Sequence, residues 1–198
     1  MRAEFRLVTI VLGLVIAFGY YAGRTVAQPP DEDQPSRTPD CVYVGTPYDV
    51  AAKMADVAGI KNGDRVCDPG CGDGRVLIAA AQRYGCRGTG YELDPRLAAE
   101  ARQIAKKRSV DRLVDVQIKD IFTVDYRPYN VVLMYLLPDM IVRLLPEFEK
   151  LKPGSRIVAH DYGIRGVYPD KTESLISNED NVEHTIYYYT LPLRKESE

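Results

Sequence analysis

One stretch of the sequence decides the fold: Asp64-Arg65-Val66-Cys67-Asp68-Pro69-Gly70-Cys71-Gly72-Asp73-Gly74-Arg75. Its first half predicts a short buried strand that ends at Asp68, because a proline disfavours helical geometry at the residue before it. Three glycines at alternate positions then predict a loop with backbone conformations that are closed to residues with a Cβ. Residues 76–84 predict a helix whose first amide groups point at this loop. The stretch therefore predicts a loop that a ligand can approach closely.

The spacing of the glycines distinguishes two classes of cofactor loop. A dinucleotide-binding loop follows the pattern Gly-x-Gly-x-x-Gly or Ala. Counted from Gly70 and Gly72, the last position of that pattern falls on Arg75, which cannot make the close contact between helix and strand. The spacing therefore argues against NAD. The glycines alone also leave open a turn that binds no ligand.

A second predicted strand ends in another carboxylate. Residues 87–93 read Arg-Gly-Thr-Gly-Tyr-Glu-Leu, so this strand brings Glu92 to its end. In βαβ cofactor folds an acid about 20 residues beyond the glycine loop meets the hydroxyls of a ribose. Asp94 and Pro95 then predict the start of a helix. Ribose binding is the interpretation we favour for Glu92, and a solvated charge at a strand end is the alternative.

Strands and helices alternate along the rest of the domain, which predicts a doubly wound, Rossmann-like α/β fold. The expected sheet has seven strands, is mostly parallel, carries helices on both faces and ends in a C-terminal antiparallel hairpin. The first helix should span residues 47–58, with Thr46 as its N-cap. The predicted strands are 65–68, 87–93, 114–118, 131–137, 156–159, 171–177 and 182–191.

Polar residues fall at the ends of the first five predicted strands. Ligands of such sheets bind beyond the carboxyl ends of the strands, at the switch point of the topology. We therefore expect a site there, although Asp120 could instead cap a turn and Tyr135 could simply pack. The residues at these ends are Asp68, Glu92, Asp120, Tyr135 and His160.

The N-terminal part of the chain is not predicted to join this fold. Arg2 and Arg6 precede an uncharged run at 7–23, and small residues at 25–27 offer a cleavage site before Gln28. Residues 1–27 are therefore expected to be a signal peptide or an N-terminal membrane anchor, with the membrane side left open. Residues 28–40 predict a disordered linker, and residues 41–198 a single domain.

Charge and residue composition argue against a nucleic-acid partner and against a metal site. The formal net charge is −2 and the chain has no basic run, which argues against a nucleic-acid partner. Four cysteines lack the spacing of zinc ligands and only two histidines accompany them, so we predict no metal site.

With these residues placed, the domain from Tyr43 to about Leu191 resembles the class I, seven-β-strand methyltransferases that use S-adenosylmethionine (SAM). Within that class it is similar to the family of the ATP synthase c-subunit lysine methyltransferase and the archaeal broad-specificity protein lysine methyltransferases. The matching pieces are the run Asp68 to Arg75, Glu92-Leu93-Asp94, Asp120 with Phe122, Tyr135-Leu136-Leu137-Pro138 and His160-Asp161.

The resemblance implies transfer of a methyl group from SAM to nitrogen, with a protein lysine, possibly on a membrane protein, as the acceptor. A small-molecule methyltransferase and a SAM-binding module without turnover are the alternatives. Tyr135 is expected to line the acceptor opening, and His160 and Asp161 to help remove the proton of the amine. The residues expected to bind SAM are Tyr43, Thr46, Asp68, Gly70, Cys71, Gly72, Glu92, Leu93, Asp120 and Ile121.

Overall fold

The structure is a computed structural model that describes residues 35–195. The predicted signal or anchor segment at 1–27 lies outside the described residues, as do residues 28–34 of the predicted linker. Among the helices of the described part, none has the length and apolar character needed to cross a membrane.

Helices and strands alternate through the described residues, as the sequence predicts. Asp94 caps the third helix by accepting a hydrogen bond from the Arg96 N–H at 2.8 Å, and Pro95 occupies its first turn. The elements in chain order are α1 (Tyr48–Val57), β1 (Arg65–Pro69), α2 (Arg75–Tyr84), β2 (Arg87–Glu92), α3 (Pro95–Lys107), β3 (Val114–Ile118), a 3₁₀ turn (Ile121–Thr123), β4 (Val131–Met134), α4 (Pro138–Phe148), β5 (Arg156–His160), β6 (Val167–Tyr168), β7 (Lys171–Ile176), β8 (Glu183–Thr190) and β9 (Arg194–Lys195).

Seven strands form one sheet in the order β3-β2-β1-β4-β5-β8-β7. The first five are parallel, whereas β8 runs antiparallel to both of its neighbours. The predicted mostly parallel sheet and its C-terminal hairpin are confirmed. A separate two-stranded ribbon of β6 and β9 was not predicted, because strands of two residues are too short to show an alternating pattern.

The sheet is covered on both faces. Along β4, Val131 and Leu133 pack with the apolar sides of α1, α2 and α3, whereas Val132 and Met134 pack with α4. All four residues of β4 are buried, as expected for a central parallel strand. Burial of one such side chain stabilises the fold by about 1.5–3 kcal/mol.

The glycine loop is held tightly against α3. A Cβ on Gly74 would lie only 3.1 Å from the Cβ of Ala101, and Gly74 has a positive φ of 77°. A side chain at position 74 would therefore push α3 away from the loop. This close contact fixes the loop where β1 ends and α2 begins.

Several predicted boundaries are wrong by one to three residues, and three of them have a clear physical reason. Strand β1 continues through Pro69, because the N–H groups of Gly70 and Cys71 beyond it both bond the Tyr91 carbonyl. Strand β4 stops at Met134, since Pro138 opens α4. Thr46 does not cap α1: the helix starts one residue later and Pro47 takes the cap position.

Candidate active site

A cavity of about 930 Å³ opens at the carboxyl edge of the parallel strands. Its size lies in the range of small-ligand and cofactor sites. It sits where the strand order reverses between β1 and β4, as expected for this topology. Four groups of residues line it: Gly70 after β1; Glu92, Leu93, Asp94, Arg96 and Leu97 after β2; Asp120, Ile121, Leu136 and Met140 after β3 and β4; and Arg37 with Pro39 to Val44 from the N-terminal side.

Glu92 joins the cavity to the glycine loop. Its side chain is buried, and Oε2 accepts a hydrogen bond from the Gly72 N–H at 2.8 Å. Oε1 accepts from the N–H groups of Leu93 and Asp94 at 2.7 and 2.8 Å. A carboxylate has about four acceptor positions, so one position on Oε2 remains for a ligand hydroxyl. Glu92 can therefore still accept a hydrogen bond from a ribose hydroxyl, as predicted.

Asp68 is buried beneath the same loop. Among the described residues its Oδ2 atom has no hydrogen-bond partner. Burial, followed by the charges of Glu92 and Asp73, raises the pKa of this carboxyl well above its usual range. A buried polar atom without a partner is costly, so a bound group that donates a hydrogen bond would stabilise it.

The glycine loop has no room for side chains. A Cβ on Gly70 would lie 2.8 Å from Cδ2 of Leu136, and one on Gly72 would lie 2.1 Å from Cε2 of Tyr43. Both glycines also have positive φ values, 73° and 55°. The ring of Tyr43 thus lies directly against Gly72, and Tyr43 also lines the cavity.

Arg75 joins the glycine loop to the segment before α1, a contact that the sequence did not predict. Its Nη2 donates to Oδ2 of the buried Asp73 at 2.7 Å, and its Nη1 donates to the Thr46 carbonyl at 3.0 Å. Its guanidinium carbon lies 4.6 Å from the centre of the Tyr48 ring. The residue that argues against a dinucleotide loop therefore ties the glycine loop to the segment before α1.

Asp120 has two partners in the structure. Its Oδ1 accepts from the Phe122 N–H at 3.1 Å and so caps the 3₁₀ turn, which is the alternative role that the sequence left open. Arg37 grips the same carboxylate through Nε at 2.6 Å and Nη2 at 3.0 Å. These bonds from Arg37 hold the pKa of Asp120 below its usual value. Arg37 lies in the predicted disordered linker, where no local sequence pattern indicates this contact.

Four of the expected cofactor residues are not among those that line the cavity: Thr46, Asp68, Cys71 and Gly72. Asp68 is buried beneath the glycine loop, and Gly72 lies against the Tyr43 ring. Cys71 is buried against β2, where its Sγ would lie 2.6 Å from a Cβ on Gly90. Thr46 is buried as well, and its Oγ1 lies 3.1 Å from Nδ1 of His160. This contact also explains why Thr46 cannot cap α1.

A second cluster lies beside the cavity, next to Leu136. The ring of Tyr135 lies 4.1 Å from the ring of His160, centre to centre, and stacks on Tyr162 at 6.1 Å. His160 is fully buried, and burial lowers its pKa to about 4, so the ring is neutral near pH 7. Nε2 of His160 lies 2.9 Å from Nδ1 of His184. His184 was missed, although it is the second of two histidines and lies on a predicted strand.

Comparison with known proteins defines the family. A family model described as ANTKMT methyltransferase domain matches residues 68–171. A protein-lysine N-methyltransferase of Saccharolobus islandicus is 36% identical over 159 residues, which cover 79% of this chain and 97% of that protein. The chain belongs to the ANTKMT methyltransferase domain family. The resemblance found in the sequence is confirmed.

Other relatives of this methyltransferase agree on the fold and the cofactor. An ATP synthase C-subunit lysine N-methyltransferase of Rattus norvegicus is 34% identical over 106 residues, 53% of this chain and 49% of that protein. The solved structure of an RNA methyltransferase from Salinibacter ruber, in complex with S-adenosyl-L-homocysteine, is 39% identical. It matches with a TM-score of 0.69 and covers 75% of this chain and 94% of that one. The chain is therefore a SAM-dependent methyltransferase.

The residues of the methyltransferase fit this cofactor. SAM carries an ammonium group that could donate to the unpartnered Oδ2 of Asp68. Its ribose hydroxyls match the remaining acceptor position of Glu92, and Gly70 and Gly72 carry no side chain that would keep a ligand from the backbone. In the structure the Tyr43 ring and Arg37 hold part of this region, so both are expected to shift when SAM binds.

Proposed function

We propose that this methyltransferase modifies the side-chain nitrogen of a protein lysine. The observation that carries the proposal is the match to the protein-lysine N-methyltransferase of Saccharolobus islandicus over nearly the whole length of that protein. The family model and the match to the rat ATP synthase C-subunit lysine N-methyltransferase are consistent with it.

We base the proposed cofactor-binding roles on the contacts in the cavity and in the glycine loop beside it. Glu92 binds the ribose hydroxyls through its free acceptor position while it keeps Gly72 in place. Asp68 accepts from the ammonium group, and Gly70 and Gly72 leave the loop open to the amino-acid part. Asp120 accepts from the adenine amino group once Arg37 has moved, and Leu93 and Ile121 contact the nucleoside from the cavity wall.

The part of the site that binds the acceptor has to hold the lysine side chain as a neutral amine. SAM supplies a methyl group on a positive sulfur, which an unprotonated nitrogen attacks in line. A lysine ammonium has a reference pKa of about 10.4, so it must lose a proton first. The half-buried Tyr135 and the exposed Tyr162, which stacks on it, offer an apolar opening that disfavours the charged form of the amine. We assign Tyr135 to positioning the amine. Of the two residues expected to receive its proton, Asp161 is partly exposed and keeps this role. His160 does not, because burial lowers its pKa to about 4 and both of its ring nitrogens already have partners.

A second candidate acceptor is RNA, because the similar structure from Salinibacter ruber is that of an RNA methyltransferase. The charges around the cavity argue against it. Asp40, Glu92, Asp94 and Asp120 all line the cavity. The two arginines among its described lining residues are already paired, Arg37 with Asp40 and Asp120, and Arg96 with Asp94. A phosphate backbone would meet mainly negative charge at this opening. We therefore propose a protein acceptor and no nucleic-acid partner.

For the whole chain, we propose the organisation that the sequence predicts. Residues 1–27 direct the chain to a membrane as a cleaved signal peptide or an anchor, residues 28–40 form a linker, and residues 41–198 form the methyltransferase domain. The uncharged run at 7–23 behind Arg2 and Arg6 supports this. N-terminal sequencing of the mature protein tests it: a first residue of Gln28 means cleavage, and Met1 in a membrane fraction means an anchor. Met1 on a chain in the soluble fraction would contradict it.

The acceptor is tested with the full-length chain and tritiated SAM. Membrane and soluble proteins, total RNA and a small-molecule extract are offered separately, and labelled protein is analysed by mass spectrometry. We expect label on lysine residues of protein and none on RNA. Label confined to RNA or to small molecules would overturn the lysine assignment, and SAM binding without label in any fraction would indicate a binding module.

A further inference from the structure

Three side chains beside Tyr135 bring their ligand atoms together. Nε2 of His160 lies 2.9 Å from Nδ1 of His184 and 3.3 Å from Oδ2 of Asp161, and the last two atoms are 3.0 Å apart. They therefore form a nearly equilateral triangle. We propose that His160, Asp161 and His184 bind a divalent transition-metal ion of the zinc type, with coordination positions left open.

The size of the triangle fits such an ion. Zinc lies about 2.0–2.2 Å from imidazole nitrogen and carboxylate oxygen. Two ligand atoms at that radius are about 2.8–3.6 Å apart when the angle at the metal is about 90–110°. The distances of 2.9, 3.0 and 3.3 Å therefore match ligands on one face of a metal. Hydrogen bonds satisfy the triangle less well. A proton on Nδ1 of His184 alone is shared between Nε2 of His160 and Oδ2 of Asp161, and a proton on each ring makes two N–H groups face each other at 2.9 Å.

Each of the three ligands is held in place by a partner on its other polar atom. Nδ1 of His160 lies 3.1 Å from Thr46 Oγ1, and Nε2 of His184 lies 3.1 Å from Asp180 Oδ2. Oδ1 of Asp161 accepts from the backbone N–H of Thr185 at 3.0 Å. Metal-binding histidines almost always have an outer partner of this kind, which fixes the ring and its tautomer.

The backbone at Asp161 is also unusual. This residue has a φ of 56°, in the left-handed region that few residues other than glycine adopt. Such conformations persist where the surrounding structure requires them, and they concentrate at functional sites. Here the conformation follows directly after β5 and turns the carboxylate of Asp161 back toward His160 and His184.

The chemistry of the ligands selects the class of ion. Two imidazoles and one carboxylate suit zinc, cobalt and nickel rather than magnesium or calcium, which prefer oxygen ligands. His160 is fully buried, whereas 27% of the Asp161 side chain is exposed, so the ion would enter from the Asp161 side. Three protein ligands leave a position open, as in catalytic zinc sites.

Sequence patterns did not indicate this site. The expectation of no metal rested on the spacing of cysteines and on the small number of histidines along the chain. His160 ends β5 and His184 lies in the antiparallel β8 beside it, so the sheet brings together residues that sequence spacing keeps apart.

The test uses zinc alone and does not depend on methyl transfer. The full-length chain, free of any affinity tag and of metal, is titrated with zinc by calorimetry and with cobalt by absorption spectroscopy. We expect about one ion per chain. Asp161→Asn, which keeps the shape of the side chain and tolerates a positive φ, and His184→Ala are both expected to abolish this binding. Circular dichroism verifies that each variant is folded.

Two further variants sharpen the test. Asp180→Asn replaces the charged outer partner of His184 by a neutral amide, whose oxygen can still accept from the Val182 N–H. Zinc affinity should fall about 10- to 100-fold without complete loss. Glu183→Gln makes the same change of charge at the neighbouring exposed position and should bind zinc like the wild type. The proposal is overturned if the wild type binds no zinc, or if folded Asp161→Asn and His184→Ala bind zinc as tightly as the wild type.

Discussion

The carboxylate of Glu92 and the backbone of Gly72 are joined by a hydrogen bond of 2.8 Å, so the end of β2 and the glycine loop form one unit. In the structure the Glu92 carboxylate accepts from three backbone N–H groups. Glu92→Gln replaces one carboxylate oxygen by an amide NH₂, so at least one of these N–H groups faces another donor. Hydrogen bonds to charged groups contribute about 1.5–3 kcal/mol, and we expect affinity for S-adenosylhomocysteine to fall at least about tenfold.

Calorimetric titration measures this affinity. Glu100→Gln is the matched control, because Glu100 is exposed on α3 and does not line the cavity. An affinity of Glu92→Gln equal to that of the control would show that Glu92 does not hold the cofactor.

Asp68→Asn should make the folded chain more stable but weaken its binding of the cofactor. Its folded-state pKa is raised by burial and by the charges of Glu92 and Asp73, so the folded chain keeps this proton to a higher pH than the unfolded chain does. The wild type should therefore lose stability relative to Asp68→Asn as the pH rises from about 4, and the difference should level off once the folded carboxyl is ionised.

Urea unfolding of both proteins across that pH range measures the difference without cofactor. Cofactor affinity should instead be weaker in Asp68→Asn, because the neutral amide attracts the ammonium group less. Equal stability at all pH values would mean that Asp68 has a partner in solution.

Arg37 competes for the carboxylate that we assign to adenine. It bonds both oxygens of Asp120, at 2.6 and 3.0 Å. Arg37→Ala should free this carboxylate, and we expect S-adenosylhomocysteine to bind several-fold more tightly, as measured by calorimetry. Arg127→Ala, which breaks the exposed pair with Asp125 outside the cavity, should leave the affinity unchanged. Weaker binding by Arg37→Ala would instead make Arg37 part of the cofactor site.

Tyr135 should affect turnover more than cofactor binding. Its ring stacks on Tyr162, contacts His160 at a tilt of 44° and does not line the cavity. We expect Tyr135→Ala to lower kcat by at least about tenfold, since misplacement of a reacting group is costly, while cofactor affinity stays within about twofold. Tyr168→Ala, on the exposed β6, is the control. An unchanged kcat would reduce Tyr135 to a packing role.

Sequence patterns predicted the features that depend on neighbouring residues. Alternation, glycine spacing and capping residues placed the sheet, the glycine loop, Glu92 and the start of α3. They did not predict contacts between distant residues, because no local pattern encodes them. The pairs Arg37 with Asp120 and His160 with His184 are separated by 83 and 24 residues.

Side-chain direction was the other feature that the sequence left undetermined. Position 71 lies in the glycine loop, yet the Cys71 side chain turns into the core against Gly90. Thr46 is of a residue type that often caps helices, yet its hydroxyl lies against His160. In both cases the packing of the folded chain outweighs the local preference of the residue.

The most direct test of the account is the structure of this chain with S-adenosylhomocysteine bound. We predict that the ribose hydroxyls lie within hydrogen-bond distance of Glu92, that the amino-acid part lies over residues 70–74 near Asp68, and that the sulfur faces Tyr135. A nucleoside bound elsewhere, or a ribose that does not contact Glu92, would contradict the central claim.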